Sequence, residues 1–455
     1  MKVRRLFACA AVLSAALFAL APAGSAVPPA SRTTADAAVQ WLVAQQQPDG
    51  GFELAGFPGF ETRDAALAIA EHAQTGAGWS TSEAVSAVGA VKYHGTGPTA
   101  FDALDTYAGT ISSAGAAAKT IVLSAGPFGF DPAAFDPAGN GSPVDLTSIM
   151  GCSTTSDATF SSLLYIVLGE RLACGSAPSA AITAVRDAQQ ANGGWNYNGD
   201  SSGTDIDPDT TALAVQALVA SGATATDPAV VHALQFFAAN QQASGAWQSF
   251  GTDDPNSTAT AILGITAAGY DVESPCWRDT VDPTKAGTTY ASPTVWISSQ
   301  QLTSPPSDAG RIASPNDGYG LTTFATSQSV EGLLQSWLPI ARASAQTCAA
   351  SPTPTVDNAT PAAGGAVTVS GGGFAPATQL TIELHSTPVV LGTTTTDAYG
   401  NYSATVTIPA DTAPGAHSIV VSGLDPDGAP RSVSVAITVN GTVVAAVVVS
   451  PRFTG

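Results

Sequence analysis

WLVAQQQPDGGF, residues 41–52, runs an aromatic-led stretch into glutamine and then turns on glycine before another aromatic. The pattern returns as AVRDAQQANGGW at 184–195, where Gln189, Gly193 and Trp195 keep the offsets of Gln46, Gly50 and Phe52. It returns again as FFAANQQASGAW at 236–247, with Gln241, Gly245 and Trp247. A looser copy holds Trp296, Ile297 and Gln301 in register but lengthens the stretch to Gly310 and Ile312. Self-similarity at a period of roughly 50 residues marks one supersecondary unit repeated, each copy unable to bury its apolar face alone.

Alanine-rich runs follow each turn: RDAALAIAEHA from Arg63, DTTALAVQALVASG from Asp209, NSTATAILGITAAG from Asn256 and FATSQSVEGLLQSW from Phe324. A polar residue ahead of an apolar run supplies a cap for orphan helix N–H groups, so each run reads as a helix start. Each unit is therefore a helix, a glycine turn and a second helix. Small residues on several faces of the second helix suit one packed closely on both sides in an inner ring. Gln46 and Gln189 lie close to three periods apart, leaving room for two degenerate units, GAGWSTSEAVSAVGAVKY around Trp79 and AAAKTIVLSAGPFGFDPAAF around Phe130. Six hairpins across residues 33–345 suffice for a ring of helix pairs to close on itself.

The first 26 residues have a basic start (Lys2, Arg4, Arg5), an apolar middle and a small-residue end, the layout of a signal peptide cleaved after Ala26. The expected location is outside the cell. Four cysteines follow it, Cys152, Cys174, Cys276 and Cys348, and an even count in an exported chain reads as disulfides. Cys152 with Cys174 and Cys276 with Cys348 are the favoured pairs, each bracketing one local segment. No CxxC and no Cys–His cluster points to zinc.

The chain carries a net charge of −20, and the signal segment holds three basic residues and no acid. That balance excludes nucleic acid and anionic membrane surfaces as partners. No apolar run beyond the first reaches the roughly 20 residues needed to span a bilayer, so no stable membrane insertion is expected.

From 346 to 356 the chain is a Pro/Thr linker, and beyond it the period becomes two. AVTVSG, QLTIELHS, NYSATVTIP, HSIVVSG and SVSVAITV are alternating, β-branched runs separated by turn residues, the signature of a small β-sandwich over 357–440. Its overall pattern resembles the immunoglobulin-like modules of exported bacterial proteins. Residues 441–455 form a tail.

The polar residues most suggestive of a site are Asp205, Asp207 and Asp209, in NGDSSGTDIDPDTT at the start of an inner helix, and Asp253 and Asp254 at the matching place one unit later. Tyr197, Tyr319 and Phe324 fall outside the repeat positions and are candidates to line a ring mouth. The plainer alternative is that the aspartates cap helices and solvate turns. A second alternative is that their oxygens gather around calcium.

The Gln–Gly–aromatic copies are similar to the glutamine–tryptophan repeats of the terpenoid cyclase and protein prenyltransferase superfamily. That resemblance implies an all-α (α/α)6 toroid followed here by an all-β, immunoglobulin-like sandwich. Squalene–hopene-type cyclases of the group carry D-x-D-D-T-A, whose middle aspartate protonates an alkene. Setting Asp209-Thr210 on the motif's last Asp-Thr puts Pro208 at the donor position, and a slip of one residue nominates Asp207, so Asp207 and Asp209 are the candidates for a general acid. The prenyltransferase zinc set is not found. The layout of one ring plus a β-domain also resembles the cobalamin carriers, such as intrinsic factor and transcobalamin, which implies a corrinoid as a possible cargo. The resulting expectation is a secreted, non-catalytic protein whose ring holds a small molecule or surface component. A protonation-initiated, class II terpene cyclase-like enzyme is the alternative, and a structural or adhesive surface protein is the third reading.

Overall fold

In the computed structural model the described residues are 29–54, 61–76, 78–157, 159–225, 227–274, 276–281, 290–316, 322–338, 341–342, 354–375, 377–386, 388–396, 400, 402–424 and 430–440. The expected signal segment, Tyr319, Cys348 and the tail from 441 lie outside them.

Among the described residues fifteen α-helices precede the β-region: α1 (Pro29–Ala44), α2 (Glu61–His72), α3 (Thr81–Ala90), α4 (Ala100–Ala108), α5 (Ala114–Thr120), α6 (Gly126–Phe128), α7 (Leu146–Met150), α8 (Phe160–Ala173), α9 (Ser179–Asp187), α10 (Pro208–Ala220), α11 (Pro228–Asn240), α12 (Pro255–Ala267), α13 (Cys276–Val281), α14 (Pro293–Ser299) and α15 (Phe324–Leu334). A π-helical turn, Ile121–Ala125, extends α5. Where the sequence places caps at Asp209 and Asn256, the helices begin earlier. Asp207 and Asp254 are the caps, each followed by proline at the first helical position, where a missing N–H costs nothing. Arg63 likewise does not open a helix, because α2 starts at Glu61 and Arg63 and Asp64 are buried within its first turn.

Six of these helices are inner. α2 packs on the π-turn that extends α5, α5 and that turn pack on α8, α8 on α10, α10 on α12, α12 on α15, and α15 returns to α2, so the six close a circuit. Alanine and glycine let them approach. A Cβ on Gly264 would sit 2.9 Å from Ala212 Cα, and one on Gly332 would sit 2.7 Å from Ala259 Cα, so larger side chains have no room there.

The glycine turns join the outer helices by one recurring set of bonds. Gly50, Gly193, Gly245 and Gly310 all have φ between 89° and 98°. A Cβ on each would meet a backbone carbonyl of the next unit, that of Thr99, His232, Ala291 or Ala37, at 2.1 to 2.4 Å. The glutamine before each turn donates to its glycine carbonyl, and three of the four reach onward as well. Gln46 bonds Val91 O, Gln189 bonds Ala229 O and Gln301 bonds Thr34 O. The residue after the turn is fastened too. The N–H groups of Phe52, Trp195, Trp247 and Ile312 donate to Oγ1 of Thr62, Thr211, Thr258 and Thr326 on the inner helices, at 2.9 to 3.1 Å. Trp41, Trp195 and Trp247 are buried, while Trp296 is half-buried. The last turn docks on the first helix, and Trp41 Nε1 closes that joint by donating to Ser307 O at 3.0 Å.

The two degenerate units behave differently. AAAKTIVL supplies the inner helix α5, but Trp79 precedes α3 and donates to Pro127 O rather than entering a Gln–Gly turn. Cys152 and Cys174 form a disulfide. The other favoured pair falls on Cys276, whose side chain is not described, and Cys348. No described helix is long and apolar enough to cross a membrane.

Short hairpins β1 (Gln248–Ser249) with β2 (Thr252–Asp253) and β3 (Ser336–Trp337) with β4 (Ala341–Arg342) decorate the helical region. The C-terminal region holds β5 (Thr355–Val356), β6 (Ala366–Gly371), β7 (Gln379–His385), β8 (Val389–Thr395), β9 (Tyr402–Thr407), β10 (Gly415–Leu424) and β11 (Pro430–Val439). They form two antiparallel sheets, β5-β6-β9 and β11-β10-β7-β8. Alternate residues, among them Val367, Val369, Leu380, Ile382, Ile419 and Val421, meet in one core. The edge strand β8 is missing from the sequence reading because its side chains do not alternate between buried and open.

Candidate functional site

On α10, α12 and α15 nearly every side chain is buried, as expected of helices packed on all sides. The exceptions near their N-termini are Asp209 and Leu213, Asn256 and Thr260, Phe324 and Gln328, each pair one turn apart on its helix. These stripes touch one another. Thr260 Oγ1 donates to Asp209 Oδ1 at 2.5 Å, Ser257 Oγ donates to Asp209 Oδ2 at 2.9 Å, and Asn256 Nδ2 donates to Gln328 Oε1 at 2.9 Å. Three neighbouring inner helices thus present a continuous wall that is solvent-reachable and mostly polar. Burial raises the Asp209 carboxyl to about 6, against two hydroxyl donors that favour the ionised form, with Asp207 and Asp254 adding to the rise.

The other aspartates are otherwise engaged. Asp207 caps α10, accepting from Thr210 N and Thr210 Oγ1 at 2.9 and 2.7 Å. Asp254 caps α12 through Asn256 N and Ser257 N, and its second oxygen accepts from Ser314 Oγ and Asn316 Nδ2. Asp253 accepts from Ser244 Oγ and Gln248 Nε2. Asp205 is exposed and accepts from Asn196 Nδ2. Asp205, Asp207 and Asp209 therefore serve three different neighbours rather than converging as a calcium cage would require, and no described group of three His, Cys, Asp or Glu side chains is arranged to hold a metal. Tyr197 is 57% exposed and does not belong to the wall. Of the residues singled out in the sequence and described here, Asp209 and Phe324 are the two that the wall contains.

Deeper in the circuit lies a set of charges the sequence reading passed over. Asp64 of α2, Lys119 of α5, Tyr165 of α8 and Glu331 of α15 act electrostatically on one another. Lys119 of α5 and Glu331 of α15 act on each other although α2 lies between their helices in the circuit. Glu331 also continues the Phe324–Gln328 stripe inward by three residues. Burial raises the carboxyls of Asp64 and Glu331, the latter well above the ordinary range with Glu71 and Asp64 reinforcing it. Burial lowers the Lys119 ammonium and raises the Tyr165 phenol, and Lys119 Nζ lies 5.4 Å from the Tyr165 ring centre. The signal was present in the sequence. A lone charge inside an alanine-rich helix that must be buried, as in AAAKT or SVEGLL, is costly unless it serves a site.

No family model matches the chain, and no curated protein sequence matches it. Among solved structures it is similar to three of the type II terpene cyclase MstE from Scytonema, all variants at 14% identity. The first, in complex with the product merosterolic acid A, has a TM-score of 0.41, and the overlap covers 67% of this chain and 96% of that one. The second is apo, with a TM-score of 0.42 over 67% and 96%. The third, in complex with the substrate geranylgeranyl dihydroxybenzoate, has a TM-score of 0.42 over 67% and 97%.

Proposed function

We propose that the helical region is a binding unit for a small molecule outside the cell, and that the ligand enters the circuit at the N-terminal ends of the inner helices. In this reading the closed set of helix pairs is an (α/α)6 toroid, and the β-region is an immunoglobulin-like spacer. One observation carries it: toward their N-terminal ends three inner helices, otherwise buried there, leave open one stripe each, and the stripes bond to each other. A concave wall with a few convergent polar groups is the usual form of a ligand site. Its amide, hydroxyl and carboxyl groups suit a polar ligand.

A cyclase-type acid is the second reading, favoured by the position of Asp209. Setting Thr211-Ala212 on the Thr-Ala that ends D-x-D-D-T-A puts Asp209 at the middle aspartate, with Asp207 first and Thr210 in place of the third. A carboxyl raised to about 6 by burial keeps its proton nearer neutral pH than an ordinary one, as a general acid must. One physical point weighs against it: folding a polyprene calls for an apolar lining, and the wall offers Leu213 and Phe324 among four polar side chains.

Native mass spectrometry of the full chain tests the choice. A bound small molecule is expected in the wild type and absent from a Thr260→Leu/Gln328→Leu protein that fills the wall. A bare mass in every preparation, together with cyclised product from squalene or geranylgeranyl diphosphate, would replace the binding role with catalysis.

A further inference from the structure

Beneath the polar wall, Asp64 of α2 and Glu331 of α15 both act electrostatically on Lys119 of α5. Arg63, whose charge acts on Asp64, donates from one guanidinium nitrogen to Thr120 Oγ1 at 2.9 Å and lies 5.1 Å from the Tyr107 ring centre. Asp64 is 3% exposed and Glu331 6%, yet Asp64 Oδ2 and Glu331 Oε1 accept no hydrogen bond. A carboxyl oxygen removed from water and left without a donor is destabilising, so its retention asks for a partner that binds there. Lys119 and Tyr165 beside them are half-buried and keep some surface open.

We infer that Asp64 and Glu331 form the deep subsite of the cavity and receive an organic cation with N–H donors, a primary amine or a guanidinium. This rests on the reading of the cavity as a ligand site and deepens it. A metal ion is a poorer fit, since the described acids are not clustered as a cage. N–H donors on a flexible chain meet carboxyls held on separate helices, and the Tyr165 face supplies a second contact for a cation. Burial, Glu71 and Asp64 of α2 hold the Glu331 carboxyl well above its ordinary range, against Lys119 of α5. A bound cation opposes that rise and favours the ionised carboxyl.

Isothermal titration of the full chain with spermidine, agmatine and phenethylamine, each in two buffers of different ionisation heat, tests this. At least one is expected to bind with release of a proton, more tightly as pH rises. Glu331→Gln and Asp64→Asn are each expected to weaken it at least tenfold, with a Tm unchanged or raised, because each removes an unsatisfied buried acid. Absence of binding by all three probes overturns the inference, as does binding that both variants leave intact. Loss of binding together with loss of the fold in both variants also overturns it, since that assigns the pair a structural role. A neutral or anionic molecule found in the cavity by native mass spectrometry would remove the cation subsite while leaving the binding unit standing, and a bare cavity with no probe bound would remove both.

Discussion

Asp209 shows how one carboxyl can hold a cap sequence and a cavity wall together. The chain reads Asp-Pro-Asp-Thr-Thr, and the first aspartate takes the capping bonds, which frees the second to point along the open stripe toward Thr260. A carboxyl whose folded value is raised from 3.8 to about 6 binds its proton more readily in the folded chain than in the unfolded one. Its contribution to stability is therefore full below about 4 and falls as pH climbs through 6. The interval corresponds to about 3 kcal/mol at full burial, and screening from the open face reduces it to about 1 kcal/mol. Asp209→Asn should accordingly be about 1 kcal/mol more stable than wild type at pH 8, with the difference vanishing near pH 4. Calorimetric Tm values across that range check it, and a variant less stable at pH 8 would contradict the assignment. Residue identity alone did not reveal which aspartate faces the interior. Asp207 and Asp209 are two apart on the chain, and only the helix start at Pro208 decides that one caps and the other points inward.

At the level of elements, the Gln–Gly–aromatic turns were legible because each of their residues answers a geometric demand. The glycine adopts positive φ against a neighbouring carbonyl, the glutamine bridges two units, and the aromatic fills the gap below. Gly193→Ala tests the first of these. Its Cβ would meet His232 O at 2.2 Å with φ at +89°, whereas Gly222, at φ +99°, has nothing within 4 Å. Gly222→Ala should cost about 1 kcal/mol from backbone strain. Gly193→Ala should cost at least about 3 kcal/mol, because strain and the clash with the docked helix add. Urea unfolding of the two variants separates the terms, and equal losses would show that the turn does not depend on close docking. What stayed illegible at this level had no such signature. The π-turn after Thr120 follows from no propensity in TIVLSA, the hairpin β1–β2 is two residues per strand, and β8 is an edge without alternation. Lys119 and Glu331 differ, since each shows in the sequence as a lone charge within an apolar helix, while the helices that face it are not written there.

The whole molecule is two separate cores on one chain. The buried apolar clusters of the helical region end at Leu338, and the cluster of the β-region begins at Val367, with no residue in common among those described. In the helical region, the docking of Gly310 and Gln301 on α1 makes the last hairpin a neighbour of the first, so no terminal unit is left to be capped. The count of hairpins in the sequence makes such a closure expected without locating it, since the bonds from Trp41 to Ser307 and from Gln301 to Thr34 join residues more than 260 apart and have no local trace in the sequence. Heating should therefore give two transitions, one for each core, with the helical signal at 222 nm lost in only one of them. The disulfide between Cys152 and Cys174, separated by 22 positions, belongs wholly to the helical region. Closing a loop of that length removes unfolded-state entropy amounting to about 3 kcal/mol. The Cys152→Ser/Cys174→Ser chain should lower the Tm of the helical transition by several degrees and leave that of the β-region where it was. Differential scanning calorimetry with circular dichroism reads both at once. A single merged transition, or a β-transition that moves with the helical one, would show that the two cores share an interface that stabilises both.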